Sequence, residues 1–138
     1  MIVFICLDDN NGMLFNHRRL SSDKAVIEDM LSFAGKEKIR MNLYSSKLFD
    51  MAAERVIIEE DPLENAFGES YCFLETLPLE RYVDYVGIIV AYYWNRVYPA
   101  DVHLDIDLEQ DWETVECREF GGNSHEKITR KVYRRREC

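Results

Sequence analysis

Residues 2 to 23 decide the fold: Ile2-Val3-Phe4-Ile5-Cys6-Leu7, then Asp8-Asp9-Asn10-Asn11-Gly12-Met13, then Leu14 to Arg19, then Leu20-Ser21-Ser22-Asp23. The six apolar residues make a continuous run, as a strand buried on both faces requires. Asp, Asn and Gly then break it with a turn. Ser21, Ser22 and Asp23 offer side-chain oxygens to the free N–H groups of a helix start. Val26, Ile27, Met30, Leu31 and Ala34 follow at helical spacing, and Gly35 suits the C′ position.

Outward from that unit the elements alternate. Lys38 to Asn42 reads as a short strand, and Ser45 as the cap of a second helix carrying Leu48, Phe49, Ala52 and Ala53. Arg55 to Glu59 is the next strand. Residues 59–70 mix Glu, Asp, Pro, Asn and Gly and read as a surface loop. Tyr71 to Leu74 is a short strand, and Pro78 opens a short helix over Leu79 to Tyr82. Val86 to Ala91 is the most apolar strand and is expected at the sheet centre. Asp101 to Asp107 alternates aspartates with β-formers, as on a strand with one wet face. Trp112 to Phe120 and Lys127 to Arg136, separated by Gly121-Gly122-Asn123, make an antiparallel pair. The order βαβαβ followed by β predicts an α/β fold with a single mixed sheet flanked by helices, spanning residues 1–138 as one domain.

Composition narrows the function classes. The 138 residues are 47% apolar and 31% charged, as in globular proteins. Net charge is −9, although Arg130 to Cys138 holds five basic residues and one acid. An acidic body repels phosphate backbones, so nucleic-acid binding is not expected. The basic tail alternates with Val132 and Tyr133 and reads as a charged edge strand. No apolar run is long enough for a membrane span, and the first one lacks a basic flank for a signal peptide. Cys6, Cys72, Cys117 and Cys138 form no CxxC pair. They read as free thiols in a reducing cytoplasm.

Catalytic signatures are few. The sequence has no GxSxG elbow, no phosphate-binding GxxxxGK[ST] loop and no GxGxxG. His17, His103 and His125 show no metal-ligand spacing. His125-Glu126 reads as a polar turn. Nothing local points to a hydrolase or nuclease. Tyr92, Tyr93 and Trp94 with Tyr98 read as core and rim packing, with a stacking platform or homodimer patch as alternatives.

Three stretches, taken in order, resemble dihydrofolate reductase. The first is Ile2 to Asp23, where Asn11-Gly12-Met13 matches the family's NGI-type loop and Leu20-Ser21-Ser22-Asp23 its LPxD segment. The second is Gly35 to Phe49, with Ile39 to Ser45 where the family has VIMGRxT. In the third, Tyr98-Pro99-Ala100-Asp101 resembles the LPxAD turn, and Asp111 to Val115, Phe120 and Asn123 to Arg135 resemble the closing hairpin. The resemblance implies a dihydrofolate reductase-like fold. It places Asp23 where the family's carboxylate pairs with a pterin, a bidentate charge-assisted contact. The implied pocket has apolar walls from Cys6, Leu7, Met13, Ile27, Met30 and Leu31, and takes a small planar heterocycle.

The departures bear on the cofactor. The family holds NADPH with a Gly-Arg pair and a hydroxyl at a helix start, where this chain has Asn42-Leu43 and Ser45. The family's glycine pair after the central strand is absent from Ile88 to Tyr93, so β-carbons stand where a pyrophosphate would approach. Its GDxxFP segment is missing, and His17-Arg18-Arg19 replaces an active-site Pro-Trp. The expectation is a pseudoenzyme, a ligand-binding or interaction module without cofactor. The alternative is a nicotinamide-dependent reductase of a pteridine. For Asp23 a structural charge at the helix start is read ahead of ligand binding, and His17, Arg18 or Arg19 could pair with it.

Overall fold

The computed structural model describes residues 1–64, 68–76 and 78–136. Strand β1 (Ile2–Leu7) leads into a hairpin of β2 (Gly12–Phe15) and β3 (Arg18–Arg19). Helix α1 (Lys24–Ala34) follows, then β4 (Ile39–Met41) and the single turn α2 (Leu43–Ser46). A 3-10 segment, Lys47–Arg55, leads to β5 (Val56–Ile58), then β6 (Tyr71–Phe73). A second 3-10 segment, Glu80–Tyr85, precedes β7 (Ile88–Tyr93) and β8 (Val102–His103). The long strands β9 (Trp112–Phe120) and β10 (Ile128–Arg135) close the fold.

Seven strands form one mixed sheet in the order β5-β4-β6-β1-β7-β10-β9. The pairs from β5 to β7 are parallel, whereas β7–β10 and β10–β9 are antiparallel. The apolar run of β1 suits this placement, because parallel neighbours on both sides require both of its faces to be buried. Val3, Ile5 and Leu7 join one core layer, and Phe4 joins the other beneath α1. β1, not the expected Val86–Ala91 strand, is the middle strand. β7 starts at Ile88 and lies beside β1, where the sheet changes from parallel to antiparallel.

Three further expectations are corrected. The basic stretch from Arg130 is not an edge strand: β10 pairs with β7 on one side and β9 on the other, and β9 is the edge. The stretch 101–107 is not one strand: only Val102–His103 pairs, in a separate three-stranded sheet of order β3-β2-β8. Its aspartates serve loops instead. Asp105 accepts from the N–H groups of Leu79 and Glu80 at the start of a 3-10 segment, and Asp107 accepts from Glu109 N–H. Asn42, not Ser45, caps α2, accepting from Ser45 N–H at 2.8 Å. No regular second helix follows, because Phe49 and Ala52 leave helical backbone angles. The expected 59–70 loop lies partly outside the described residues. Cys6, Cys72 and Cys117 are free thiols, and Cys138 lies outside the described residues. No helix among the described residues is long and apolar enough to cross a membrane.

Candidate functional site

Ligands of open α/β sheets sit beyond the carboxyl ends of the strands. Here that edge gathers the residues after β1, β4, β6 and β7, and polar side chains fill it. Glu75, just beyond β6, is buried and accepts a bidentate contact from Arg19, Nε to Oε2 at 2.7 Å and Nη2 to Oε1 at 3.0 Å. The Ser45 hydroxyl donates to the same Glu75 Oε1 at 2.7 Å. The guanidinium lies over the Tyr44 ring, 4.2 Å from its centroid. Only a void of about 10 Å³ remains, lined by Cys6, Met13, Arg19, Glu75 and Trp94 among others. Burial pushes the Cys6 thiol up, Glu75 adds to this, and Arg19 opposes it.

A second polar knot forms at the start of α1. Asp23 is the N-cap: its Oδ1 accepts from Ala25 N–H at 2.9 Å. The β9–β10 connection folds onto the same carboxylate. Asn123 and Ser124 donate their backbone N–H groups at 2.9 Å each, and the Ser124 hydroxyl donates at 3.2 Å. His125 Nδ1 lies 2.9 Å from Oδ2. A Cβ at Gly122 would stand 2.5 Å from that oxygen, so the tip reaches Asp23 only because residue 122 has none. Burial pushes the Asp23 carboxyl up. Hydrogen bonds from Asn123, His125, Ser124 and Ala25 outweigh it and hold the group well below the usual carboxylate range.

His125 is buried and stacks on Trp94, with ring centroids 4.7 Å apart and planes 26° apart. Its Nε2 faces the Ser21 hydroxyl at 2.8 Å and the Tyr98 hydroxyl at 3.3 Å. Assigning the Nδ1 proton to the contact with anionic Asp23 leaves Nε2 to accept from the Ser21 hydroxyl.

Two hollows flank this knot. An apolar cleft of about 690 Å³ runs between α1 and the kinked 3-10 segment, walled by Ile27, Leu31, Leu48, Phe49 and Met51, with Lys24, Glu28 and Lys47 also lining it. Met51 is 90% exposed, so its contribution faces open solvent. On the other side a polar recess of about 530 Å³ is lined by Asn95, Arg96, His125, Glu126 and Lys127 among others.

The expected pocket residues therefore part company. Asp23, Ile27 and Leu31 meet at the apolar cleft. Cys6 and Met13 line the small void. Leu7 and Met30 are fully buried in opposite core layers. Alternation along β1 requires part of this split, because consecutive residues Cys6 and Leu7 point to opposite faces. Asp23 pairs with His125, while Arg19 pairs with Glu75. Glu75, Tyr44, Tyr98 and residues 123 to 125 carry the polar geometry; Glu75 lies outside every stretch that carries the resemblance, and nothing in the local sequence assigns the others this role. Among the described residues no group of His, Cys, Asp and Glu side chains is placed to hold a metal.

No family model and no curated protein matches the chain. Among solved structures it is similar to dihydrofolate reductase from Enterococcus faecalis complexed with NADP(H) and RAB-propyl. The TM-score is 0.61 and the identity 8%, over 99% of this chain and 96% of that one. At that identity the likeness shows the dihydrofolate reductase-like fold alone.

Proposed function

We propose that this dihydrofolate reductase-like chain is not a reductase but a binding module for a small, largely apolar ligand carrying an anionic end. The observation that carries the reading is the Arg19–Glu75–Ser45 network beyond the parallel strands. The hydroxyl that the resemblance assigns to a cofactor phosphate is committed to Glu75. Leu43 is 63% exposed where the family has a phosphate-holding Arg. Beyond β7 the chain continues as Trp94-Asn95-Arg96, with no glycine to let a pyrophosphate approach. These residues do not fit a nicotinamide dinucleotide.

The ligand belongs in the apolar cleft, whose volume lies within the usual range for small-molecule sites. Ile27, Leu31 and Phe49 would take a planar body, and Lys24 and Lys47, which outnumber Glu28 on the same wall, an acidic end. Asp23 supports the wall rather than reading the ligand, because its oxygens already hold protein donors. A cationic heterocycle gains nothing there.

Calorimetry with NADPH and a thermal-shift panel of folates, pteridines and apolar carboxylates test this. Anionic, partly aromatic compounds should raise the midpoint, since binding to the native state alone stabilises it by mass action. NADPH should release no binding heat at micromolar concentration. A micromolar NADPH complex would instead favour a nicotinamide-dependent reductase acting on a pteridine. The likeness to a reductase complexed with NADP(H) over nearly the whole of both chains keeps that second reading in play.

A further inference from the structure

We propose that Ser21, His125 and Asp23 form a nucleophilic site that hydrolyses small carboxylic esters with an anionic end. The arrangement joins side chains separated by 104 and 102 residues in the sequence. Ser21 Oγ lies 2.8 Å from His125 Nε2, and His125 Nδ1 lies 2.9 Å from Asp23 Oδ2. Those are the two hydrogen bonds that nucleophilic hydroxyl catalysis needs: hydroxyl to base, and base to a buried, anionic orienting group. Asp23 is fixed from three backbone N–H groups. Trp94 holds the imidazole plane. Such rigid support is what keeps a catalytic ring in one tautomer. Asp23 is a positioning residue; Ser21 and His125 act on substrate.

Tyr98 supplies the next part. A neutral imidazole offers one lone pair at Nε2, and the shorter contact gives it to Ser21. The Tyr98 O–H beside it is then available to an oxygen that becomes negative during reaction. Tyr98 is held in place by its own N–H, which donates to buried Asp8 at 3.0 Å. His125 lines the polar recess, while Ser21, half-buried, is its hydrogen-bond partner and lines the small void of about 10 Å³, which is too small for an ester, so substrate approaches from the recess side. Arg96 and Lys127 in its wall outnumber Glu126, which favours an anionic substrate.

The step balances without a cofactor. Ser21 Oγ bonds to the ester carbonyl carbon as His125 Nε2 takes the hydroxyl proton, and Tyr98 donates to the oxyanion. The carbon–oxygen bond to the alcohol breaks, and the alcohol leaves with the proton from His125. Water then attacks the acyl carbon, giving its proton to the same Nε2. The carboxylic acid departs and Ser21 regains its proton.

The test uses the full chain with two 4-nitrophenyl esters, the acetate and the anionic hemisuccinate, and an alkyl fluorophosphonate label located by mass spectrometry. The label should fall on Ser21, and Ser21→Ala should lose labelling and at least a hundredfold of the hydrolysis rate while keeping the wild-type circular dichroism. The hemisuccinate should exceed the acetate at least fivefold in kcat/KM, and Arg96→Ala should erase that margin. If Ser21→Ala does not fold, Ser21→Cys replaces it and should still release a stoichiometric burst of nitrophenolate. Labelling spread over other serines of folded protein, or hydrolysis unchanged in Ser21→Ala, overturns the proposal. Equal rates for the two esters overturn its substrate class.

Discussion

Asp23 has five hydrogen-bond donors within reach: three backbone N–H groups, the Ser124 hydroxyl and His125. This is more than the helix-end charge that its place before α1 suggests, which is worth about 0.3–1 kcal/mol. Hydrogen bonds to a charged group contribute about 1.5–3 kcal/mol. Asp23→Asn should therefore destabilise the fold by about 2–3 kcal/mol at neutral pH, as read by urea denaturation. The pH dependence follows from the lowered carboxyl. The native state holds the ionised form below the unfolded value of about 3.9, so the stabilisation is complete above that pH and declines as pH falls through the native value. The gap between wild type and Asp23→Asn should narrow in acid. A gap that stays constant down to pH 2 would mean the charge of Asp23 contributes nothing.

Among the elements, α1 forms where its apolar spacing says, with Asp23 and Gly35 as its ends. The turn α2 illustrates the opposite case. Asn42 and Ser45 are both capping residues by type, and the expectation of Ser45 rests on type alone. The choice rests on Glu75, which takes the Ser45 hydroxyl from 30 residues away. Glu75 thereby ties α2 to the end of β6 and, through Arg19, to the β2–β3 hairpin. Removing one partner of a buried pair leaves the other unpaired. Arg19 keeps about a fifth of its side chain exposed. Glu75→Leu should accordingly cost about 2–3 kcal/mol, below the range for a fully buried pair. Adding Arg19→Met should recover most of that loss, because the two side chains are coupled. Chemical denaturation of the two single variants and the double variant measures the coupling. Additive losses would show that the network is incidental.

Across the molecule, the β9–β10 tip and the start of α1 stabilise each other although they lie 100 residues apart. Phe120 and Ile128 are register partners, so a two-residue Asn-Gly turn can replace residues 121–127 and keep the strands paired. That variant should retain strand protection while the Ala25 amide, bonded to Asp23, exchanges at least tenfold faster in hydrogen-exchange NMR. An unchanged Ala25 rate would show that α1 holds Asp23 without the tip.

What residues 2 to 136 determine unaided is the set of elements governed by nearest-neighbour physics. A run apolar on both faces makes β1, helical spacing between a capping acid and a glycine makes α1, and the Gly121-Gly122 break separates β9 from β10. The two-residue strand β8 escaped this reading because its alternating aspartates suggest a longer strand when their loop partners are out of view. The polar sites were decided only in three dimensions. Apolar burial is non-directional and leaves a periodic trace in sequence, whereas a hydrogen bond needs one donor at one distance, and that donor's identity is set by how the sheet is wound. Ser21 is an ordinary serine and His125 an ordinary turn histidine until the final hairpin folds across the first helix. Asp23 becomes their shared support only then.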